Sequence, residues 1–281
     1  MNLIFHHTDM DGYSSAAVVE HFVNNCYCRP VNYNNYLPTL EEIHKTGKEF
    51  DTIYIVDYSF TNDTLYLLQE LLEEYNVVWI DHHKSSLGVL DQLQYDNLSY
   101  CVNIDYCGAI NTWEYFTTEP IPYCLQLVDS WDTWKHFDEN DFCFKLFFDT
   151  KKARQSIDIF KDLLNKSSEE AYEQIQSYLD ECKILENYIL NEYNLILKRT
   201  YTVEFNGYNC IVANCNIKSS MVFGNEIANY DFGIVWFYNG DTYNYSIYTA
   251  YEDLDASQIA ELYGGGGHKA AAGFITTERV V

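Results

Sequence analysis

Leu3-Ile4-Phe5 is a short apolar run that gives way to a polar turn, and several later stretches repeat that arrangement. From Ser14, SSAAVVEHFV spaces its apolar residues as a helix does. Tyr27–Tyr33 reads as a second strand and Thr52–Val56, in DTIYIVDYS, as a third. The amphipathic TNDTLYLLQELLEEY follows, and then Val77–Ile80 in NVVWIDHH as a further strand. Strands alternating with helices of ten or more residues predict βαβ units around a mostly parallel sheet with helices on both faces.

After Asp105 the pattern turns helical, in DYCGAINTWEYF and then PIPYCLQLV. Residues 153 to 199 are helical and charged throughout, as a helical linker would be. From Tyr201 the chain changes again, to TYTVEF, NCIVANC, FGIVWFY and TYNYSIYTAY, with Asn-Gly turns at 206–207 and 239–240. The expectation is an α/β chain in three parts: an N-terminal domain over 1–150, a linker over 151–199 and a smaller α/β domain over 200–281. No internal repeat or low-complexity tract interrupts it.

Composition narrows the function classes. With 281 residues, 47% of them hydrophobic, the chain can bury a sizeable core. Forty-two acidic against 17 basic residues give a net charge of −25, so most of the surface repels a long polyanion. Long nucleic acid is therefore not an expected partner, whereas a small anion entering a metal-loaded pocket is compatible. The only arginines are Arg29, Arg154, Arg199 and Arg279, which leaves phosphate contacts to Lys, His, backbone N–H and metal. Nine irregularly spaced cysteines and no stretch resembling a secretory signal point to reduced thiols in a cytoplasmic protein. No apolar run approaches membrane-spanning length, so no membrane association is expected. The 26 tyrosines are a compositional bias from which no function is read.

Candidate chemistry gathers at predicted strand ends. His7, Asp9 and Asp11 in HTDMDG follow the first strand, Asp57 ends IYIVD, and Asp81-His82-His83 end VVWI. Ligands in open parallel sheets bind beyond the carboxyl ends of the strands. Taken singly, HTDMDG fits an ordinary turn and Asp57 fits a helix N-cap. Three acid or imidazole clusters at three strand ends do not fit a purely structural role. Mixed His/Asp sets suit Mn²⁺ or a similar divalent ion. The carboxylates suffice for two ions sharing Asp57, and a pair about 3.5–4 Å apart can hold a hydroxide and clamp a phosphoryl group. VDSWDTW adds Asp129 and Asp132, with the choice between them open. His6, His21, His44 and His136 read as solvated or packed, and Cys101 and Cys107 as core. Near the end, GGGGHKAAAGF (Gly264–Phe274) sets Gly264, Gly265, Gly266 and Gly267 before His268 and Lys269. Such a run of backbone N–H groups can form an anion nest. A short helix, DASQIAELY, precedes it, and GFIT closes as a strand.

These motifs, in this order, resemble the DHH phosphoesterase family, and the terminal one resembles the DHH-associated domain of RecJ-like exonucleases, nanoRNases and cyclic-dinucleotide phosphodiesterases. The resemblance implies two domains with an active-site cleft between them, and hydrolysis by two-metal hydroxide attack using Mn²⁺, with Mg²⁺ or Co²⁺ as substitutes. Carried over, His7, Asp9 and Asp57 hold one ion, and Asp11, Asp57, His82 and Asp129 or Asp132 hold the other, Asp129 being favoured for its place at the helix end. Asp81 orients a ligand histidine, His83 approaches the phosphate, and His268 with the glycine loop binds the substrate. Tyr248 stands where related chains often carry an arginine, and could stack on a base. The implied substrates are short RNA oligonucleotides or linear and cyclic dinucleotides, cleaved to mononucleotides. A protein that only sequesters a nucleotide signal, and a phosphatase acting on 3′-phosphoadenosine phosphate, are the alternatives. Oligomeric state, including a homodimer, stays open.

Overall fold

The structure is a computed structural model that describes residues 1–33, 37–151, 157–267 and 269–281. It divides into two units, Met1–Ile184 and Leu185–Val281. In the first, β1 (Asn2–His6), α1 (Met10–Phe22), β2 (Cys26–Pro30), α2 (Leu40–His44), β3 (Thr52–Val56), α3 (Leu65–Leu72), β4 (Asn76–Asp81) and β5 (Leu98–Val102) build an all-parallel sheet ordered β2-β1-β3-β4-β5. A 3₁₀ segment, Lys84–Gln92, follows β4.

Strand alternation assigns each side chain to a face. Leu3, Phe5, Ile53, Ile55, Val77 and Trp79 point to one side, where Leu65, Leu68 and Leu71 of α3 cover them. Ile4, Val56 and Ile80 point to the other, against Ala16 and Val19 of α1. Both faces are therefore buried, as a parallel sheet requires.

Then come α4 (Gly108–Phe116), α5 (Tyr123–Asp132), α6 (Asp141–Lys151), α7 (Asp158–Leu164) and α8 (Ser168–Leu197). Phe160 and Leu163 of α7 and Ile175 and Leu179 of α8 share one core with α1, α4 and α5. Much of the expected linker thus buries apolar side chains. Residues 152–156 of that stretch lie outside the described residues.

The second unit continues with β6 (Tyr201–Phe205), β7 (Tyr208–Asn214), β8 (Phe232–Tyr238), β9 (Tyr243–Tyr248), α9 (Ala256–Glu261), β10 (Gly266–Gly267) and β11 (Ala271–Thr276). They form a mixed sheet, β10-β11-β9-β8-β7-β6, in which only β7 and β8 run parallel. The chain is thus α/β, with a parallel-sheet unit and a smaller second sheet unit. Among the described residues, no helix is long and apolar enough to cross a membrane.

Two elements depart from the sequence expectation. α1 starts at Met10 rather than Ser14, because Asp9 caps it by accepting from the Gly12 N–H at 2.9 Å. Gly12, inside α1, is a position of close approach, since a Cβ there would lie 2.3 Å from the His7 carbonyl oxygen. β5 escapes the hydropathy pattern because it is an edge strand whose Ser99 and Tyr100 face solvent.

Candidate active site

The sheet register explains why the three clusters meet. His6 pairs with Val56, and Val56 with Ile80. His7, Asp57 and Asp81 therefore each lie one residue beyond a shared rung, at the carboxyl edge of β1, β3 and β4. Asp57 takes a left-handed conformation, φ 52°, with its N–H bonded to the Ile80 carbonyl at 2.9 Å. Aspartate is one of the few residues that tolerate this region, and such strain collects at functional sites.

Three overlapping groups of donors result: His7, Asp9 and Asp57; Asp57, His82 and His83; and Asp11, His82 and Asp132. Within each group the ligand atoms lie within 4.8 Å of one another. His7 Nδ1 bonds Asp9 Oδ2 at 2.5 Å and stands 3.8 Å from Asp57 Oδ2. His82 Nε2 stands 3.5 Å from Asp11, 3.3 Å from Asp57 and 3.4 Å from Asp132. Asp57 belongs to the first two groups and His82 to the last two, so the donors form one continuous set.

The surrounding elements hold these side chains in place. Asp11 accepts the Gly108 and Ala109 N–H groups at 2.7 and 2.8 Å, with its carboxylate against the N-terminus of α4. Asp81 holds His83 Nδ1 at 2.8 Å through one oxygen, and its other oxygen accepts the Ser86 hydroxyl. The two aspartates of VDSWDTW separate. Asp129 accepts the Cys107 N–H at 2.7 Å and pairs with Lys135 at 3.7 Å, which makes it a cap for α4. Asp132 is the one that joins His82.

Electrostatics divide the carboxylates. Burial, then the charges of Asp9, Asp11, Asp132 and Asp81, pushes Asp57 well above the usual carboxylate range. Burial with Asp11 and Asp9 does the same to Asp132, and burial, opposed by His82 but reinforced by Asp9, raises Asp11. Burial also works on Asp9 and Asp81, but hydrogen bonds and charge from His7 and His83 outweigh it and hold both below that range. Asp57 Oδ2 and Asp132 Oδ2 are buried without a hydrogen-bond donor among the described residues. A buried, unpaired carboxylate oxygen is costly in the protein alone and suits a bound cation. The donor set therefore fits divalent metal ions of the kind that accept mixed His and Asp ligands.

In the second unit, α9 ends in a tight turn. The Gly264 N–H, at φ 75°, donates to the Glu261 carbonyl at 3.0 Å, and the Gly265 N–H donates to Ala260 at 2.9 Å. Two of the four expected donors thus close the helix rather than face outward. Gly266 and Gly267 pair with Gly273 and Ala272 of β11 and are exposed, as is Lys269. His268 lies outside the described residues. Tyr248 is only 6% exposed, packed with Ile211, Phe223 and Val235 instead of presenting a stacking face.

No protein-family model matches the sequence. It is 26% identical, over 302 aligned positions, to uncharacterised protein R106 of Acanthamoeba polyphaga mimivirus, spanning 96% of this chain and 66% of that protein, just under two thirds of its length. It is 24% identical over 305 positions to the Bacillus subtilis oligoribonuclease NrnB, spanning 99% of this chain and 73% of that one. The fold is similar to that of the pGpG-specific phosphodiesterase PggH from Vibrio cholerae, with a TM-score of 0.52 at 14% identity, covering 98% of this chain and 93% of that one. It is also similar to Thermus thermophilus RecJ in complex with Mn²⁺, at 0.50 and 15%, covering 97% and 49%. In sequence and fold the chain is thus similar to proteins of the DHH phosphoesterase group.

Sequence reasoning overlooked several residues around the cluster. Ser59 and Ser86 extend the Asp81 network, their hydroxyls 3.1 Å apart. Both lie a few residues past a strand-end aspartate, and that spacing was the available signal. Tyr33 stands between His7 and His83, its ring centroid 5.4 and 6.3 Å from theirs. Nothing in the sequence distinguishes it from the other tyrosines.

Proposed function

We propose that this protein hydrolyses phosphodiester bonds in short RNA oligonucleotides or linear or cyclic dinucleotides, releasing mononucleotides, and that it works with two divalent ions, Mn²⁺ foremost. The observation that carries this reading is the continuous donor set at the strand ends, with buried oxygens of Asp57 and Asp132 that find no donor among the described residues. His7, Asp9 and Asp57 would hold one ion, and Asp11, Asp57, His82 and Asp132 the other. Such ions, when bound, supply charge for the phosphoryl group and an activated water at neutral pH. Asp81, through its bond to His83 Nδ1, fixes that ring for hydrogen bonding to the substrate phosphate as charge develops on it. Gly266, Gly267, His268 and Lys269 would take a further phosphate of the substrate.

Short substrates are favoured on charge. A chain of net charge −25 repels long polyanions, so affinity must come from local contacts. NrnB and PggH, by their names an oligoribonuclease and a pGpG-specific phosphodiesterase, support the same class. Incubation with Mn²⁺ and a panel of a diribonucleotide, a short RNA, two cyclic dinucleotides, 3′-phosphoadenosine phosphate and pyrophosphate tests the reading. Mononucleotides from a phosphodiester substrate are the expected result, and their loss on chelation supports the metal set. Phosphate release from pyrophosphate or 3′-phosphoadenosine phosphate alone would overturn it, as would retention of a ligand without turnover.

A further inference from the structure

Tyr33 is 40% exposed, yet its position is fixed on several sides. Its ring stacks on Tyr58 at 5.1 Å and 22°. Tyr58 is 1% exposed and meets Phe60 edge-on at 5.4 Å, and Phe60 meets Trp79 edge-on at 5.2 Å. An aromatic column thus runs from the core of the sheet to the strand-end cluster and finishes in Tyr33. The Trp79 indole N–H locks the column by donating to the Tyr58 carbonyl at 2.9 Å. The Tyr33 hydroxyl accepts the Ser59 N–H at 3.2 Å. The backbone leading to it is tied to β1, through the Val31 N–H to the His6 carbonyl at 2.8 Å and Asn32 to the Thr8 hydroxyl at 3.1 Å.

One face of the ring is spent on Tyr58, and the hydroxyl is anchored. Holding an aromatic in place beforehand removes the entropy cost of ordering it when a ligand arrives. The ring is flanked by His7, a candidate metal ligand, and by His83, the candidate phosphate contact. Basic side chains are scarce in this chain, whereas every nucleobase has a π-face to offer. We propose that Tyr33 is a specificity-determining residue that stacks on the nucleobase next to the scissile phosphate. It makes the site select nucleotides over other phosphodiesters. This rests on the phosphodiesterase reading for its substrate, but its binding claim can be tested separately.

The test uses the full chain with Mn²⁺, as wild type, Tyr33→Leu and Tyr33→Phe. Two quantities are read: kcat/KM for a diribonucleotide against one carrying an abasic ribose, and calorimetric affinity for adenosine monophosphate against ribose 5-phosphate. Stacking on one base is expected to give the wild type a preference of roughly ten- to a hundred-fold for the base-bearing ligand. Tyr33→Leu loses most of that preference, chiefly through KM, while Tyr33→Phe keeps it. Equal losses for base-bearing and abasic ligands in Tyr33→Leu would overturn the proposal and make Tyr33 a support for His7 and His83. An undiminished preference in Tyr33→Leu would overturn it as well. Base-dependent binding that vanishes in Tyr33→Leu without turnover of any substrate would sink the hydrolysis reading and leave the stacking role standing.

Discussion

At the end of β3, Asp57 keeps a buried oxygen without a donor among the described residues, whereas at the end of α9 the Gly264 and Gly265 N–H groups both find carbonyl partners. Both places combine short side chains, a tight turn and an abundance of polar atoms. In the first, the fold leaves polar atoms unsatisfied and crowds like charges together. In the second, half of the apparent binding groups are consumed in closing a helix. A run of glycines announces available donors less reliably than a strand-end aspartate announces an available acceptor. The glycine's N–H can be claimed by local backbone, while the aspartate's oxygens project past the end of the ladder.

Asp57→Asn strikes hardest at this contrast. Asparagine tolerates the left-handed backbone but loses the charge shared by two donor groups. Turnover of the best substrate is expected to fall by more than the roughly 10–100-fold that loss of a supporting partner costs. Circular dichroism should show an intact fold. Near-wild-type turnover with metal still bound would remove Asp57 from the centre of the site.

Titration of the metal-free protein comes next. Asp11, Asp57 and Asp132 lie above the usual carboxylate range when folded, so the folded state holds more protons than the unfolded one. Stability of the chelated protein should therefore fall as pH rises from about 4, the unfolded carboxylate value, through the raised values. Asp9 and Asp81 contribute in the opposite sense, adding stability that is lost as pH falls below about 4. Saturating Mn²⁺, which needs deprotonated ligands, should flatten the decline and add about 2.7 kcal/mol at a hundred times Kd. Thermal melts at several pH values, with and without chelator, read both effects. A chelated protein that melts higher at neutral than at mildly acidic pH would contradict the crowded-carboxylate picture.

Ser86→Ala tests how far the cluster extends. It leaves one Asp81 oxygen without its hydroxyl donor and loosens the hold on His83. A loss of about 10–100-fold in kcat is expected, with KM little changed. Smallest are the effects in the glycine loop, where stability and binding should separate. A Cβ on Gly265 would sit 2.2 Å from the Gly273 carbonyl oxygen, so Gly265→Ala should cost about 1–3 kcal/mol by denaturant melt. Among the described residues nothing lies within 4 Å of a Cβ on Gly266, so Gly266→Ala should stay within about 0.5 kcal/mol and show itself only in KM.

The parallel sheet was legible because IYIV and VVWI are buried on both faces and leave no polar residue inside the run. The strand-end acids were legible for the same reason, since they interrupt apolar runs where packing gives them no purpose. Other features depend on contacts distant in sequence. Asp129 and Asp132 lie three residues apart on one helix and look equivalent until the N-terminus of α4 claims Asp129. Tyr248 looks like a binding residue in YNYSIYTAY, and only the packing of β9 against its neighbours buries it. β5 carries too little apolar patterning to be seen, because an edge strand buries little.

The shared rung His6–Val56–Ile80 also limits how such a chain can change length. The loops between the clusters can lengthen or shorten freely, because each cluster is positioned by its own strand end. Removing one residue inside β3 would instead turn every following side chain to the opposite face. Asp57 would move to the position of Val56, and the carboxylate would leave the row. Insertions and deletions tolerated across this fold should therefore fall between the strands, and the distances between motifs along the sequence should vary while the positions of the acids at their strand ends do not.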